Sequence, residues 1–254
     1  MCLILIAWQA HRDYPLVVAA NRDEFHSRPT SAAGIWSDRP HILAGRDLEA
    51  MGTWLGITRT LRFAAVTNFR DALDPGIGNR SRGLLAREFL ECDDAAASYV
   101  SRVGAQLQAY RGFNLLVGDG RELWWLSNRG NGARRLGPGI HGLSNHLLDT
   151  PWPKVARGKA SLDHATSLVP AIEPLLGLLA DTSVPSDDEL PDTGVGIERE
   201  RLLAATRIVS PAYGTRSSSV LIVGRDGRLQ FAERAYDAQG VETETMRYEL
   251  RVAA

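Results

Sequence analysis

A cysteine in second position, Cys2, heads the apolar run Cys2-Leu3-Ile4-Leu5-Ile6-Ala7-Trp8. A side chain this small behind Met1 lets methionine aminopeptidase remove the initiator, leaving a thiol and a free α-amino group on one residue. Such an amine titrates at about 7.7–8.0, close to the pH at which a general base is most effective. Terminal nucleophiles use it to activate their own side chain. The plain alternative is a cysteine that stands second by chance on a fraying end. The apolar strand behind it argues for a fixed position at a sheet edge.

Four further clusters carry polar residues that a plain core would not call for. Asn21-Arg22-Asp23-Glu24 ends an apolar run, and the strand period puts Asn21 and Asp23 on one face, Arg22 and Glu24 on the other. A carboxylate beside an α-amino group holds it and raises its pKa; alternatively the four residues only solvate a strand end. In His141-Gly142-Leu143-Ser144-Asn145-His146, the Asn145 amide is placed to donate to a developing oxyanion, an effect of roughly 3–4 kcal/mol. Without that role Ser-Asn is an ordinary turn pair, and His146 is a packed or surface histidine or, less simply, a haem or metal ligand. In Gly214-Thr215-Arg216, Arg216 opens a strand and is suited to clamp an anionic group, or is a surface arginine. Arg80-Ser81-Arg82-Gly83 precedes a helix, whose first N–H groups favour anions; it lacks the spacing of a nucleotide loop.

These residues need strands to hold them. His11-Arg12-Asp13-Tyr14-Pro15 reads as a turn between the first strand and Leu16–Ala20, so an antiparallel hairpin returns the Asn-Arg-Asp-Glu cluster to the side of Cys2. A loop is expected from His26 to Pro40, then short strands at Ile42–Gly45, Thr53–Thr58 and Arg62–Asn68. Leu85, Phe89 and Cys92 follow helical spacing, which should leave Cys92 packed, and Asp93-Asp94 reads as the cap of a second helix. Gly118-Asp119-Gly120 and Arg225-Asp226-Gly227 mark two hairpins. Helices are expected from Trp152 to about Leu179 and at Glu198–Ala205, with an exposed loop over 181–196. Sheet, helices, sheet, helices, sheet is an α+β pattern, and the continuous apolar strands imply sheets buried on both faces.

Composition narrows the function. The chain has 254 residues, 44% hydrophobic and 23% charged, with a net charge of −1. That is a globular chain of one large domain or two small ones, with no field to recruit nucleic acid or an anionic membrane. Its basic residues are arginines apart from Lys154 and Lys159. Two cysteines and six scattered histidines give no disulfide framework, no HExxH and no metal site. The apolar start is too short to span a membrane and lacks a basic flank, so the expected compartment is the cytoplasm.

Cys2, Asn21-Arg22-Asp23-Glu24-Phe25, Gly142-Leu143-Ser144-Asn145 and Gly214-Thr215-Arg216, in this order, resemble the NRDE family, which includes transport-and-Golgi-organisation protein 2. The resemblance runs through nearly the whole chain, with Gly45-Arg46-Asp47 and Gly52-Thr53-Trp54-Leu55-Gly56 also similar. More broadly the pattern is similar to the cysteine N-terminal-nucleophile hydrolases of the penicillin V acylase and bile-salt hydrolase group. That likeness implies an α+β, four-layer αββα sandwich of the N-terminal-nucleophile type, as a single domain over 1–254. It also implies roles: Cys2 as nucleophile, Asp23 orienting the α-amino group, Asn145 as oxyanion donor and Arg216 assisting substrate. Asn21, Arg22, Glu24 and His146 are then substrate-binding candidates. That group carries Arg-x-x-Asp on its second strand, whereas this chain has Ala20 three residues before Asp23. Arg22 stands on the strand face opposite Asp23. Two functions are therefore weighed. One is a hydrolase of an amide or thioester with an apolar acyl part, needing no cofactor. The other is a carrier or chaperone for haem or an acyl-CoA-like lipid.

Overall fold

Apolar runs between turn residues supply most of the strands, and thirteen strands are described in the computed structural model. The structure describes residues 2–73 and 78–252, with the backbone but not the side chain of Cys2. Met1, whose removal the sequence predicts, lies outside the described residues, as does the Cys2 thiol. The chain divides into two compact units of interleaved segments.

The first unit takes the chain up to Ser27, Arg70–Leu73 and Pro138–Leu250. Its six-stranded sheet joins β1 (Cys2–Trp8), β2 (Leu16–Phe25), β10 (Gly139–Leu143), β11 (Tyr213–Val223), β12 (Arg228–Tyr236) and β13 (Glu242–Arg251) in the order β10-β1-β2-β11-β12-β13. Helices α3 (Pro153–Thr166) and α4 (Ile172–Leu178) cover one face, with Val155, Leu162, Leu175 and Leu176 packed on Leu3, Leu5, Val17, Ala19 and Ile222. Glycine lets α3 come close: a Cβ at Gly158 would meet Leu5 Cδ1 at 2.8 Å. Ile4, Ile6, Val18 and Leu221, on the other face, are equally buried, as continuous apolar strands require. A short helix, α5 (Ile197–Ala204), adds Leu203 to a small cluster with Ala205 and Ile208.

The second unit takes Arg28–Phe69 and the described residues of Asp74–Gly137. Here seven strands follow one another in chain order: β3 (Thr30–Trp36), β4 (Arg39–Asp47), β5 (Leu55–Thr58), β6 (Phe63–Asn68), β7 (Phe113–Gly118), β8 (Leu123–Ser127) and β9 (Arg134–Arg135). Helices α1 (Gly83–Glu91) and α2 (Ala96–Gly104) lay Leu85, Phe89, Tyr99 and Val103 on Ile42, Ala64, Leu115 and Val117. Cys92 ends α1 half-buried, its Sγ donating to Phe89 O at 3.6 Å.

The structure corrects two expectations and adds detail to others. The stretch from His26 to Pro40 is not all loop, since β3 and the start of β4 lie within it. The Asp93-Asp94 pair does not cap α2: Ala95 stands at the cap, and the Ala96 N–H donates instead to Asp119 Oδ2 at 3.1 Å. His141 and Leu143 lie in β10, an edge strand beside β1, and β13 was not anticipated. Arg80-Ser81-Arg82-Gly83 spends its charge locally, with Arg80 on Glu88 and Arg82 on the Gly112 carbonyl.

Candidate functional site

The Asn-Arg-Asp-Glu cluster is not a solvated strand end. Strand β2 runs on through it to Phe25, because β1 and β11 ladder against both its edges. Asn21, Arg22 and Asp23 are 1%, 6% and 2% exposed. Buried polar groups need partners, and the register supplies them. Cys2 pairs with Arg22 across β1 and β2, and Asp23 pairs with Thr215 across β2 and β11.

Asp23 Oδ1 accepts a 2.6 Å hydrogen bond from the Thr215 hydroxyl, which itself accepts the Ile208 N–H at 2.9 Å. The Tyr213 hydroxyl donates to the Asp23 carbonyl at 3.1 Å. Burial pushes the Asp23 carboxyl above its usual range, and Lys154, the Thr215 hydrogen bond and Arg22 counter part of that rise. Lys154 is the residue sequence reasoning missed. It lies in the first turn of α3, is 2% exposed and donates from Nζ to Leu203 O at 2.9 Å. Lysines are almost never this buried unless paired, but its acceptor lies 49 residues along the chain. The one available signal was a lysine in an arginine-rich chain.

The remaining candidates divide by what they hold. The Asn21 amide donates to the carbonyls of Leu179 and Thr206 at 2.9 and 2.8 Å and accepts from Ser218 Oγ at 2.6 Å, tying β2 to two loops. Glu24 accepts the Phe25 N–H at 2.9 Å. Arg216 occupies a bulge, the register passing from Thr215 to Ser217, and its Nη1 donates to the carbonyls of Phe25 and His26 at 2.9 and 3.2 Å. A bulge re-aims a side chain in this way.

The ladder also relates Arg22 to Ala20. Strand alternation puts position 20 on the same face as position 22, so an arginine at 20 would also stand opposite Asp23. Arg22 thus carries a cation on the face that Ala20 leaves empty of charge, one pleat nearer the Cys2 end.

Asn145 lies two residues past Leu143, the last ladder partner of Ile4, and so on the Cys2 side of that pair. It is fully buried, its carbonyl accepts the Arg70 N–H at 2.7 Å, and Ser144 Oγ donates to its Oδ1 at 3.4 Å. Arg70 also presents Nη1 to Glu200 Oε2 at 3.0 Å and lies 4.4 Å above the Trp152 ring. His146 is half-buried with its ring 5.6 Å from Trp152 and Nδ1 2.9 Å from Thr150 Oγ1. Burial, then the Arg70 charge, lowers its pKa and favours the neutral ring. Among the described residues no group of three or more His, Cys, Asp or Glu is placed to hold a metal ion.

A buried carboxylate and an amide-bearing segment therefore lie at one end of a sheet whose first strand begins at Cys2. Residues 1–238 match the family model described as Transport and Golgi organisation 2. The chain belongs to that family. It is 37% identical over 280 residues to the transport and Golgi organization protein 2 homolog of Bos taurus, covering 99% of each. It is 35% identical to the Homo sapiens homolog, over 99% of this chain and 100% of that one. The Drosophila melanogaster protein is 28% identical over 92% of this chain and 91% of its own length. Among solved structures the family member is similar to a Caenorhabditis elegans N-acylethanolamine-hydrolyzing acid amidase ortholog. The TM-score is 0.53 at 12% identity, covering 87% of this chain and 92% of that one. It is also similar to the mutant C2A conjugated bile acid hydrolase from Clostridium perfringens, with a TM-score of 0.50 at 9% identity, covering 99% and 97%. Identities this low show the fold alone. That fold is the α+β fold of the N-terminal-nucleophile hydrolases. No described helix is long and apolar enough to cross a membrane.

Proposed function

We propose that this family member is a cysteine N-terminal-nucleophile hydrolase that cleaves an amide or thioester of an apolar acyl group in the cytoplasm, where both thiols stay reduced. The observation that carries the reading is the pairing of Cys2 with Arg22 beside the buried Asp23, on a fold shared with an N-acylethanolamine-hydrolyzing acid amidase and a conjugated bile acid hydrolase. With Met1 removed, the Cys2 amine takes the thiol proton and the thiolate attacks the acyl carbon. Asn145 donates to the oxyanion, and the amine returns the proton to the departing nitrogen or sulfur. Water then releases the acid from the acyl-enzyme. Asp23 orients the amine, Arg22 faces the substrate with Glu24 two residues further on, His146 adjoins the oxyanion donor Asn145, and Asn21 and Arg216 fix the strand end.

One observation favours a second reading, carriage of haem or an acyl-CoA-like lipid without turnover: Ala20 stands where the similar hydrolase group carries arginine. The test runs hydrolysis and binding in parallel on wild type and Cys2→Ala, using one acyl thioester and haem. A hydrolase loses turnover in Cys2→Ala yet still binds, because the thiol acts mainly in the transition state. Wild type that binds haem or the thioester and hydrolyses nothing overturns the hydrolase reading in favour of the carrier.

A further inference from the structure

Asn145 has no ladder to hold it, since β10 ends at Leu143. A donor whose value lies in pre-set geometry must be fixed by something else. On one side its carbonyl takes the Arg70 N–H. On the other, residues 143–148 form a loop closed at its base by Asp149. The Asp149 N–H donates to Gly142 O at 2.7 Å, and Asp149 Oδ1 accepts the Gly142 N–H at 2.9 Å.

The closure needs a backbone turn that few residues tolerate. Asp149 has φ of +61°, in the left-handed region that Asp and Asn enter more readily than other non-glycine residues. The rest of the carboxylate is tied to rigid elements. Lys159 of α3 donates from Nζ to Oδ1 at 2.7 Å, and His141 of β10 donates from Nδ1 to Oδ2 at 3.1 Å. Strand and helix touch here: a Cβ at Gly142 would meet Val155 Cγ1 at 2.7 Å and Lys159 Cγ at 3.0 Å.

We propose that Asp149 is the positioning residue for Asn145, clasping the loop that carries it to β10 and, through Lys159, to α3. It acts through the loop and touches no reacting atom. The kinetic part of the proposal rests on the hydrolase reading; the structural part does not.

The test compares Asp149→Ala with Asp149→Asn, which keeps both tolerance of the left-handed turn and an acceptor for Gly142. Hydrogen–deuterium exchange is followed peptide by peptide on the full chain. In Asp149→Ala the amides of 143–148 should exchange at least about tenfold faster while β2 and β11 are unchanged, and Asp149→Asn should fall between it and wild type. With an acyl thioester, Asp149→Ala should lower kcat by about 10–100-fold, leave KM within about threefold, and be largely rescued by Asp149→Asn. Unchanged exchange over 143–148, or equal acceleration in every peptide, overturns the proposal. Wild type without turnover overturns the hydrolase reading, and the exchange result then decides the clasp alone. If Asp149→Ala does not fold, Lys159→Met takes its place with the same selective exchange expected.

Discussion

Thr215 sits directly across the ladder from Asp23 and donates its hydroxyl to the buried carboxylate at 2.6 Å. Donor and acid are each only 2% exposed, and a carboxylate buried this deeply costs stability unless it is hydrogen-bonded. The carboxyl is raised by burial and only partly relieved by Lys154, Thr215 and Arg22. An arrangement that costs stability and persists points to use.

Asp23→Asn should therefore separate folding from function. A carboxyl whose folded pKa lies above its unfolded value destabilises the fold increasingly as pH rises through that interval. The neutral amide keeps an oxygen for Thr215 and escapes that cost. At pH 7 the variant should melt at or above the wild-type temperature, by about 2–4 °C for each kcal/mol relieved, and the gap should close as pH falls to the unfolded carboxyl's value of about 4. Hydrolysis should be lost. A fall in Tm at pH 7 would show that the charged acid stabilises the fold.

Asp149 has the opposite sign. Burial alone would raise its pKa, but hydrogen bonds from His141, Lys159 and the Gly142 N–H hold it down from 3.8 to about 2. The ionised group contributes stability fully present above the unfolded value and lost as pH falls from about 4 to about 2. Allowing for its partial exposure, that is on the order of 1–2 kcal/mol. Urea midpoints of wild type and Asp149→Asn should differ at pH 6 and converge only at about pH 2 or below. Equal differences at both pH values would contradict the assignment.

The polar signature was readable as a group and misplaced in its setting. Alternation in Asn21-Arg22-Asp23-Glu24 gives the faces correctly, yet polar composition argues for solvent. Burial comes from partners such as Thr206 and Thr215, about 190 positions away, that no local pattern links to it. Helix α1 was legible because its apolar face repeats at helical spacing, and α3 because its segment is rich in Ala and Leu. Strand β3 and the start of β4 were not, because Pro29, Gly34 and Pro40 break the run while backbone pairing between the two strands still holds. Lys154, Arg70 and Asp149 share one difficulty: each is defined by a backbone carbonyl, backbone N–H or charge that comes near only after folding.

Arg70 and Glu200 form a pair with side chains 4% and 2% exposed, and Glu200 also accepts the N–H and hydroxyl of Thr193 at 2.9 and 2.6 Å. Removing one partner strands a buried charge, so Arg70→Met should cost about 3–5 kcal/mol in urea unfolding. Combining it with Glu200→Gln should recover most of that loss. Additive losses in the double variant would show the two side chains to be uncoupled.

Arg22 and Arg216 should separate under the same measurements. Arg22 is buried beside the Cys2 pair and carries the cation of that strand face. Arg216 sends Nη1 to the carbonyls of Phe25 and His26 across the bulge. Arg22→Met preserves volume and removes charge, so it should weaken an anionic acyl ligand by about 10–100-fold, the worth of a hydrogen bond to a charged group. Arg216→Ala should instead lower stability by about 1 kcal/mol, since two backbone carbonyls lose their donor, and change ligand affinity only through the displaced turn. Isothermal titration with an acyl-CoA beside thermal melts reads both effects on each variant. An Arg216→Ala protein that melts normally but no longer binds would move the anion contact from β2 to the bulge, and Arg22 would then be a structural cation.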